Sequence, residues 1–570
     1  MARRIFPNAI APPSVLAVLT LLGALLPNGP LAPPAASAAT ITIVNADGAG
    51  EGFNDTTPAT PVGGNPGTTV GAQRLYVFQT AAGIWASILR SNVEIRVSAQ
   101  FGPLTPCDAS SGVLGSAGPT TVHRDFPGAL IAGAWYHQAL ANKLTGSDLD
   151  PQADINANFN SSVGTSTCLT PGWYYGIDGN EGTQIELLPV VLHEIGHGLG
   201  FSTTTNGQTG LYLNSFPHVW DFFLFNPATG LHWNQMNQAQ RAASATSCGN
   251  LVWDGAATTA GAARLLGPKP TLHVNSPAAA VGDYDVGTAS FGPPLSSNGV
   301  TGDVVLANDG TGVLTNACEP LINVVAGKIV LLDRGGCTFV VKVKNAQNAG
   351  AIGVIVADSV AGCPPAGLGG SDPTITIPSV RISQSDGVLL KANLTGMNAT
   401  LIQDPTKKAG THVSGRVKMY APLPYAAGSS VSHWDVSAEP NLLMEPAINT
   451  SLSSDPDLTV QLFADIGWLG TSGVQVVDGS GGPLQFSLGQ SMPNPGADLT
   501  SVRFVVPSRG RVVMRLFDVS GRLVRTAVDE TLGPGAYSAP IPTAGLAGGV
   551  YFYRLEAGGM SLSRRLAVLP

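Results

Sequence analysis

Apolar residues recur at intervals of three and four through VGAQRLYVFQTAAGIWASILRS (Val70–Ser91), which predicts a helix with one buried face. Upstream, ITIVNADGAG from Ile41 opens as a strand and runs into a Gly/Pro/Thr-rich loop. NVEIRVSAQF (92–101) alternates apolar and polar positions as a strand does, and ADINANFNSS (Ala153–Ser162) is a further candidate strand. QIELLPVVLHEIGHGLGF (184–201) reads as an apolar helix ending among Gly196, Gly198 and Gly200. From about Thr271 to Thr411 short β runs such as GKIVLL and AIGVIVAD alternate with one helical stretch, VVKVKNAQNAG, the texture of a self-contained α/β module. LTVQLFADIGW (Leu458–Trp468) predicts a last helix, and GTSGVQVVDGSGGP after it is linker-like. The final segment carries SVRFVVP, RVVMRLFDVSG and GVYFYRLEAGG, short alternating strands that predict a small β-sandwich.

A chain of 570 residues is too long for one hydrophobic core, so three or four domains are expected. Hydrophobic residues make up 44%, which excludes a disordered chain, and 70 glycines with 43 prolines suit β-rich domains joined by many turns. A net charge of −8 without any block of Lys or Arg argues against nucleic acid as a partner. Residues 1–38 read as an export signal: Arg3 and Arg4, then apolar VLAVLTLLGALL (Val15–Leu26), then the small-residue cleavage site Ala36-Ser37-Ala38. That apolar run is shorter than the roughly 20 residues a bilayer needs, and no later segment could span one. The six cysteines, an even set in an exported chain, predict disulfides, and none lies in a CxxC pair that would suit zinc.

VVLHEIGHGLGFSTT (Val190–Thr204) changes the picture. On a helix His193 and His197 share one face a turn apart, so both imidazoles reach a single Zn²⁺. Glu194 beside them is placed to take a proton from water and return it to a leaving amine. A catalytic zinc keeps three protein ligands and one open position. The third ligand is missing from the helix, and His218, Asp221 and His232 in FPHVWDFFLFNPATGLHW are nearby candidates.

HEIGHGLGF resembles the metzincin metallopeptidases, whose motif ends in a third His or Asp where this chain has Thr203. GSSVSHWDVSAEPNLLMEP (Gly428–Pro446) resembles the third-ligand and methionine-turn segment of the leishmanolysin-like metzincins. The resemblance covers about Ile41–Leu265 and Thr411–Leu469. It implies His433 as the third zinc ligand, Met444 as the methionine under the site, and an insertion whose ends lie close together. Asp435 is either a residue orienting a ligand or a surface aspartate. ACEPL (Ala317–Leu321), GKIVLLDRGGCTFVVKVKNAQNAGAIGVIVAD (Gly327–Asp358) and IPSVRISQSDGVLL (Ile377–Leu390) resemble the protease-associated (PA) domain. That family's domain is non-catalytic and contacts substrates or partners. It implies a strand-to-helix turn at Arg334–Cys337; Cys318 and Cys337 flank one short β segment and are a reasonable disulfide pair, and Lys342 and Lys344 read as a solvated helix face. Pro493-Asn494-Pro495, Gly521-Arg522 and Gly549-Val550-Tyr551 resemble the type IX secretion sorting domains and related FlgD-like modules.

The expected architecture is multidomain α+β. A signal (1–38) precedes a metzincin-like catalytic domain, a twisted sheet plus active-site helix in two parts (39–265 and 412–470). An α/β PA domain (271–411) interrupts it, and a linker (471–484) leads to an Ig-like β-sandwich (485–570). The expected activity is that of a secreted or cell-surface zinc endopeptidase, with Glu194 catalytic, His193, His197 and His433 on the metal, and Met444 structural. Its partners would be protein or peptide substrates, lying against the upper strand near DINANFNSS, and the secretion machinery. Calcium is a second candidate cofactor, although no run has EF-hand spacing. Two alternatives stay open: a peptidase using His218 or Asp221 as ligand, and an inactive adhesin or binding protein using its PA domain.

Overall fold

The computed structural model describes residues 38–447, 454–469, 475–476, 486–491, 494, 499–508, 510–532, 535–543 and 546–568. The expected export signal, apart from Ala38, and the expected linker, apart from Gln475–Val476, lie outside the described residues.

The N-terminal part is built on a four-stranded sheet in the order Ile41–Asn45, Ile95–Gly102, Ile155–Asn160, Gly115–Pro119. The first three run parallel and the last is antiparallel to its neighbour. Alternation decides which side is buried: Ile95, Val97, Ala99 and Phe101 point inward, as do Ile155, Ala157 and Phe159. ADINANFNSS is therefore an interior strand, paired on both sides, and the edge belongs to Gly115–Pro119. Both rows of backbone hydrogen-bonding groups of Ile155–Asn160 are used, so a substrate near DINANFNSS could add only at the Gly115–Pro119 edge beside it.

The helix Val70–Ile88 is capped by the Thr69 side chain, which accepts from the Ala72 amide at 3.2 Å. It stops short of the predicted Ser91 because Leu89 turns to extended geometry and is buried. The helix carrying the two histidines spans Leu187–Leu199, not Gln184 onward, since Ile185–Glu186 pairs as a strand with Trp173–Tyr174. Pro189 sits in its first turn, where no partner is needed for the missing N–H. All 13 residues are buried, as expected for a helix apolar on every side. Two glycines permit that burial. A Cβ on Gly196 would stand 2.9 Å from Met444 Sδ, and one on Gly198 would stand 2.3 Å from Ile155 Cγ2. Gly200, at φ 132°, ends the helix.

A second small sheet joins Leu231–His232, Leu224–Asn226, Val252–Trp253 and Val417–Lys418. It links the chain before and after the insertion. Between them lies an eight-stranded mixed sheet with the helices Phe339–Asn348 and Gln384–Ala392. Its first and last strands, Pro268–Ser276 and Asn398–Lys408, are antiparallel neighbours with Pro268 opposite Lys408, so the module leaves the chain where it entered. Lys342 departs from the expected solvated face. It is fully buried, and its ammonium donates to the carbonyls of Asn316 and Gly335 at 2.5 Å. Lys344 reaches the Thr374 carbonyl and hydroxyl.

The last helix, Thr459–Ile466, is tied back by Asp465, which accepts from Trp253 Nε1 and from the amides of Ala257 and Thr258. Beyond it, two four-stranded antiparallel sheets enclose a separate apolar core. Gln475–Val476, inside the stretch read as a linker, pairs with Tyr537–Ser538 in the first of these sheets. Three disulfides use all six cysteines: Cys107–Cys168, Cys248–Cys363 and the expected Cys318–Cys337.

Candidate metal centre

His433 stands 236 residues after His197, yet their Nε2 atoms lie 3.2 Å apart. His193 Nε2 is 3.0 Å from His197 Nε2 and 3.2 Å from His433 Nε2. Among the described residues this is the one cluster of three or more His, Cys, Asp or Glu side chains able to share an ion. Each ring is held from behind. Nδ1 of His193, His197 and His433 donates to the carbonyls of Leu443, Phe201 and Ser429 at 2.7, 2.8 and 2.8 Å. A carbonyl only accepts, so each Nδ1 carries the hydrogen and each neutral imidazole presents a bare Nε2.

Three lone pairs therefore point at one another with no proton between them. That arrangement is repulsive unless a cation lies among them. Three nitrogens bound tetrahedrally at 2.0–2.1 Å would be about 3.3 Å apart, close to the spacing found. Burial lowers the pKa of all three, His193 to about 4 and His433 to about 3, with His197 also pushed down by its neighbours. Neutral imidazole is the form a metal takes. The all-nitrogen donor set suits zinc and not calcium, which takes oxygen ligands.

Glu194 lies on the same helix, 8% exposed, and burial pushes its carboxyl up to about 8 against the opposing pull of the nearby Ala117 amide. Ala117 belongs to the edge strand. A Cβ on Gly115 of that strand would come within 3.0 Å of Glu194 Cγ, so glycine there lets the strand lie on the carboxylate. Met444 is fully buried beneath the helix at Gly196, and its carbonyl accepts from the Trp434 amide at 2.8 Å.

The other sequence candidates are elsewhere. Thr203, at the motif's third-ligand position, donates to Asp221 at 2.8 Å, and Asp221 also takes the Thr205 hydroxyl and the His218 amide. Burial pushes Asp221 up to about 6. His218 accepts from the Trp220 amide and faces His137, with ring centroids 4.9 Å apart. His232 pairs with Asp254 at 2.8 Å. Asp435 is buried, so it is not a surface aspartate. Its bonds come from Ser437, not from a ligand histidine, whose Nδ1 is held by Ser429. Sequence reading missed the Gly115–Pro119 edge strand, because GSAGP has no apolar alternation to reveal it.

Two family models match parts of the chain. Residues 300–390 match the PA domain family, and residues 491–569 match the secretion system C-terminal sorting domain. Vacuolar-sorting receptor 1 of Pisum sativum is 31% identical over 175 residues, 28% of this chain and 27% of that protein. A probable lipoprotein aminopeptidase, LpqL, of Mycobacterium tuberculosis is 34% identical over 123 residues, 21% of this chain and 23% of that protein. An aminopeptidase from Aneurinibacillus sp. strain AM-1 is 28% identical with a TM-score of 0.20, over 25% of this chain and 31% of that one. The chain thus spans about a quarter of the length of the curated relatives it matches. It is a multidomain α+β protein with a PA domain and a type IX sorting domain. The sorting domain directs it out of the cell or to the cell surface. No helix among the described residues is long and apolar enough to cross a membrane.

Proposed function

We propose that the protein is a secreted zinc endopeptidase of the metzincin type, similar to leishmanolysin, with His193, His197 and His433 as zinc ligands and Glu194 as general base. The observation carrying this reading is the convergence of three bare Nε2 atoms, each locked by a carbonyl behind it. A Zn²⁺ held there lowers the pKa of water toward ~7 and polarises a carbonyl. Glu194, whose carboxylate a neighbouring dication would favour against its burial, would accept a proton from the attacking water and pass it to the leaving amine. Met444 fills the space under the histidine helix at Gly196. The likeness to a lipoprotein aminopeptidase agrees with peptide-bond chemistry.

The edge strand bears on the kind of peptidase. Gly115–Pro119 is last in its sheet, so a substrate can add to it as a further strand. Ala117, whose amide meets Glu194, is the middle residue of the five. A peptide laid along the strand extends to both sides of the carboxylate, as internal cleavage requires. Measuring zinc content and cleavage of an internally quenched peptide blocked at both ends tests this. Wild type is expected to hold one zinc and cleave. Glu194→Ala should keep zinc and lose cleavage, and His433→Ala should lose both. Retained zinc and activity in His433→Ala would sink the ligand assignment, and an inactive, zinc-free wild type would favour a binding protein.

A further inference from the structure

A second site lies away from the histidines, in the cleft between the inserted module and the segment that follows it. Its volume is about 450 Å³, within the range of ligand sites. Asp386, Ser385 and Val388 line it from the module, and Lys418, Leu423 and Asp435 from the following segment. Lys418 of the following segment pairs with Asp285 of the module at 2.7 Å, and Cys363 of the module is disulfide-bonded to Cys248, whose amide donates to the Ala421 carbonyl of the following segment at 3.0 Å. The two walls cannot part freely, so the cleft is preformed and a ligand spends little energy organising it.

Its charges do not balance. Lys269 and Lys418 share Asp285, at 2.6 and 2.7 Å, leaving that trio one positive charge. Asp386 and Asp435 add two negative charges, and among the described residues neither meets a Lys or Arg at ion-pair distance; Lys418 is close enough to pull the Asp435 carboxyl down, but burial outweighs it. Asp435 is only 3% exposed, and both hydrogen bonds it receives go to Oδ1, from the Ser437 amide and hydroxyl. Its Oδ2 accepts nothing from any described group. Asp386 takes only the Ser383 hydroxyl, at 2.7 Å. Burial and the neighbouring Asp285 push the Asp386 carboxyl up, as an uncompensated anion requires. Apolar surface stands beside these carboxylates: Val388 is 61% exposed and Leu423 47% exposed.

We propose that this cleft binds a cationic side chain, lysine or arginine, of a polypeptide, with its aliphatic stem on Val388 and Leu423 and its charged head between Asp386 and Asp435. Long basic side chains divide in this way between apolar and polar surroundings. A divalent ion fits less well, because the carboxylate oxygens here do not converge: the histidine cluster alone does so among the described residues. A net negative lining repels anions. The site depends neither on zinc nor on hydrolysis.

Calorimetric titration of the full chain with Nα-acetyl-arginine methylamide, and with its uncharged citrulline counterpart, tests the proposal. The arginine probe should bind saturably and the citrulline probe should not. Asp386→Asn removes one charge-assisted contact and should weaken binding about tenfold or more. Val388→Lys, at an exposed position, puts an ammonium in the cleft and should abolish binding with an unchanged melting temperature. If Asp386→Asn fails to fold, Val388→Lys decides. Equal binding of both probes, or arginine binding unaltered by the substitutions, overturns the proposal. So does binding that vanishes when zinc is stripped, which would assign the probe to the histidine site. A protein that cleaves nothing but binds arginine would refute the peptidase reading and leave the cleft standing.

Discussion

Replacing Gly198 by alanine should separate the histidine helix from the sheet beneath it. A Cβ there would stand 2.3 Å from Ile155 Cγ2 and 2.8 Å from both Cγ1 and Cδ1. Carbon atoms rest about 3.5–4.0 Å apart, so the helix must rise by about 1 Å or Ile155 must leave its rotamer. Ile155 has no free space: it is fully buried in a strand paired on both sides. Overpacking of this kind costs about 1–3 kcal/mol. The better helix propensity of alanine returns up to about 1 kcal/mol. A net loss of about 1–2 kcal/mol follows, measurable as a lower urea midpoint with an unchanged slope. Zinc affinity should fall as well, because His197 precedes the substituted residue. A double-mutant cycle makes the reasoning refutable. Ile155→Ala alone costs about 2–5 kcal/mol by emptying its site. That vacated space is where the new methyl would go, so the double variant should be more stable than the sum predicts by about 1 kcal/mol or more. Strict additivity, or a Gly198→Ala protein more stable than wild type, would refute the close-approach argument.

Asp221 should make stability depend on pH. Its carboxyl is raised from 3.8 to about 6 by burial, so the folded chain keeps a proton the unfolded chain releases, and stability falls as pH rises from about 4 to about 6. The loss is about 3 kcal/mol at most, and Asp221→Asn, which does not titrate, should gain on wild type by that order between pH 4 and pH 7 in urea titrations. A gap that ignores pH would contradict this. Asp285→Asn should cost about 3–5 kcal/mol by leaving the buried Lys418 ammonium unpaired. Asp285→Asn with Lys418→Met should recover most of that, and calorimetric melting of the pair checks it. Chelation should lower the melting temperature by leaving the three lone pairs opposed, and added zinc should restore it.

Local pattern carried much of the site. His193, Glu194 and His197 are written in one turn of helix, because 3.6 residues per turn puts i and i+4 on one face whatever surrounds them. Gly200 as the helix end, the strand Ile95–Gly102 and the terminal sandwich follow equally from local periodicity and turn chemistry. His433 was reachable only through family resemblance, since no local rule links residues 236 positions apart.

Other features depended on packing alone. Nothing in GSAGP marks a strand. It becomes the sheet edge because Ile155–Asn160 has a free side for it. Lys342 lies on a helix whose pattern reads as solvated, yet carbonyls from a distant turn take its ammonium inside. The sequence by itself determined which side chains could bind a metal and that the helix bearing two of them would be buried. Only the tertiary structure decided that the third would join them. The inserted module begins and ends on neighbouring strands, and that closure, with the small sheet joining Val252–Trp253 to Val417–Lys418, brings the distant imidazole back to the helix.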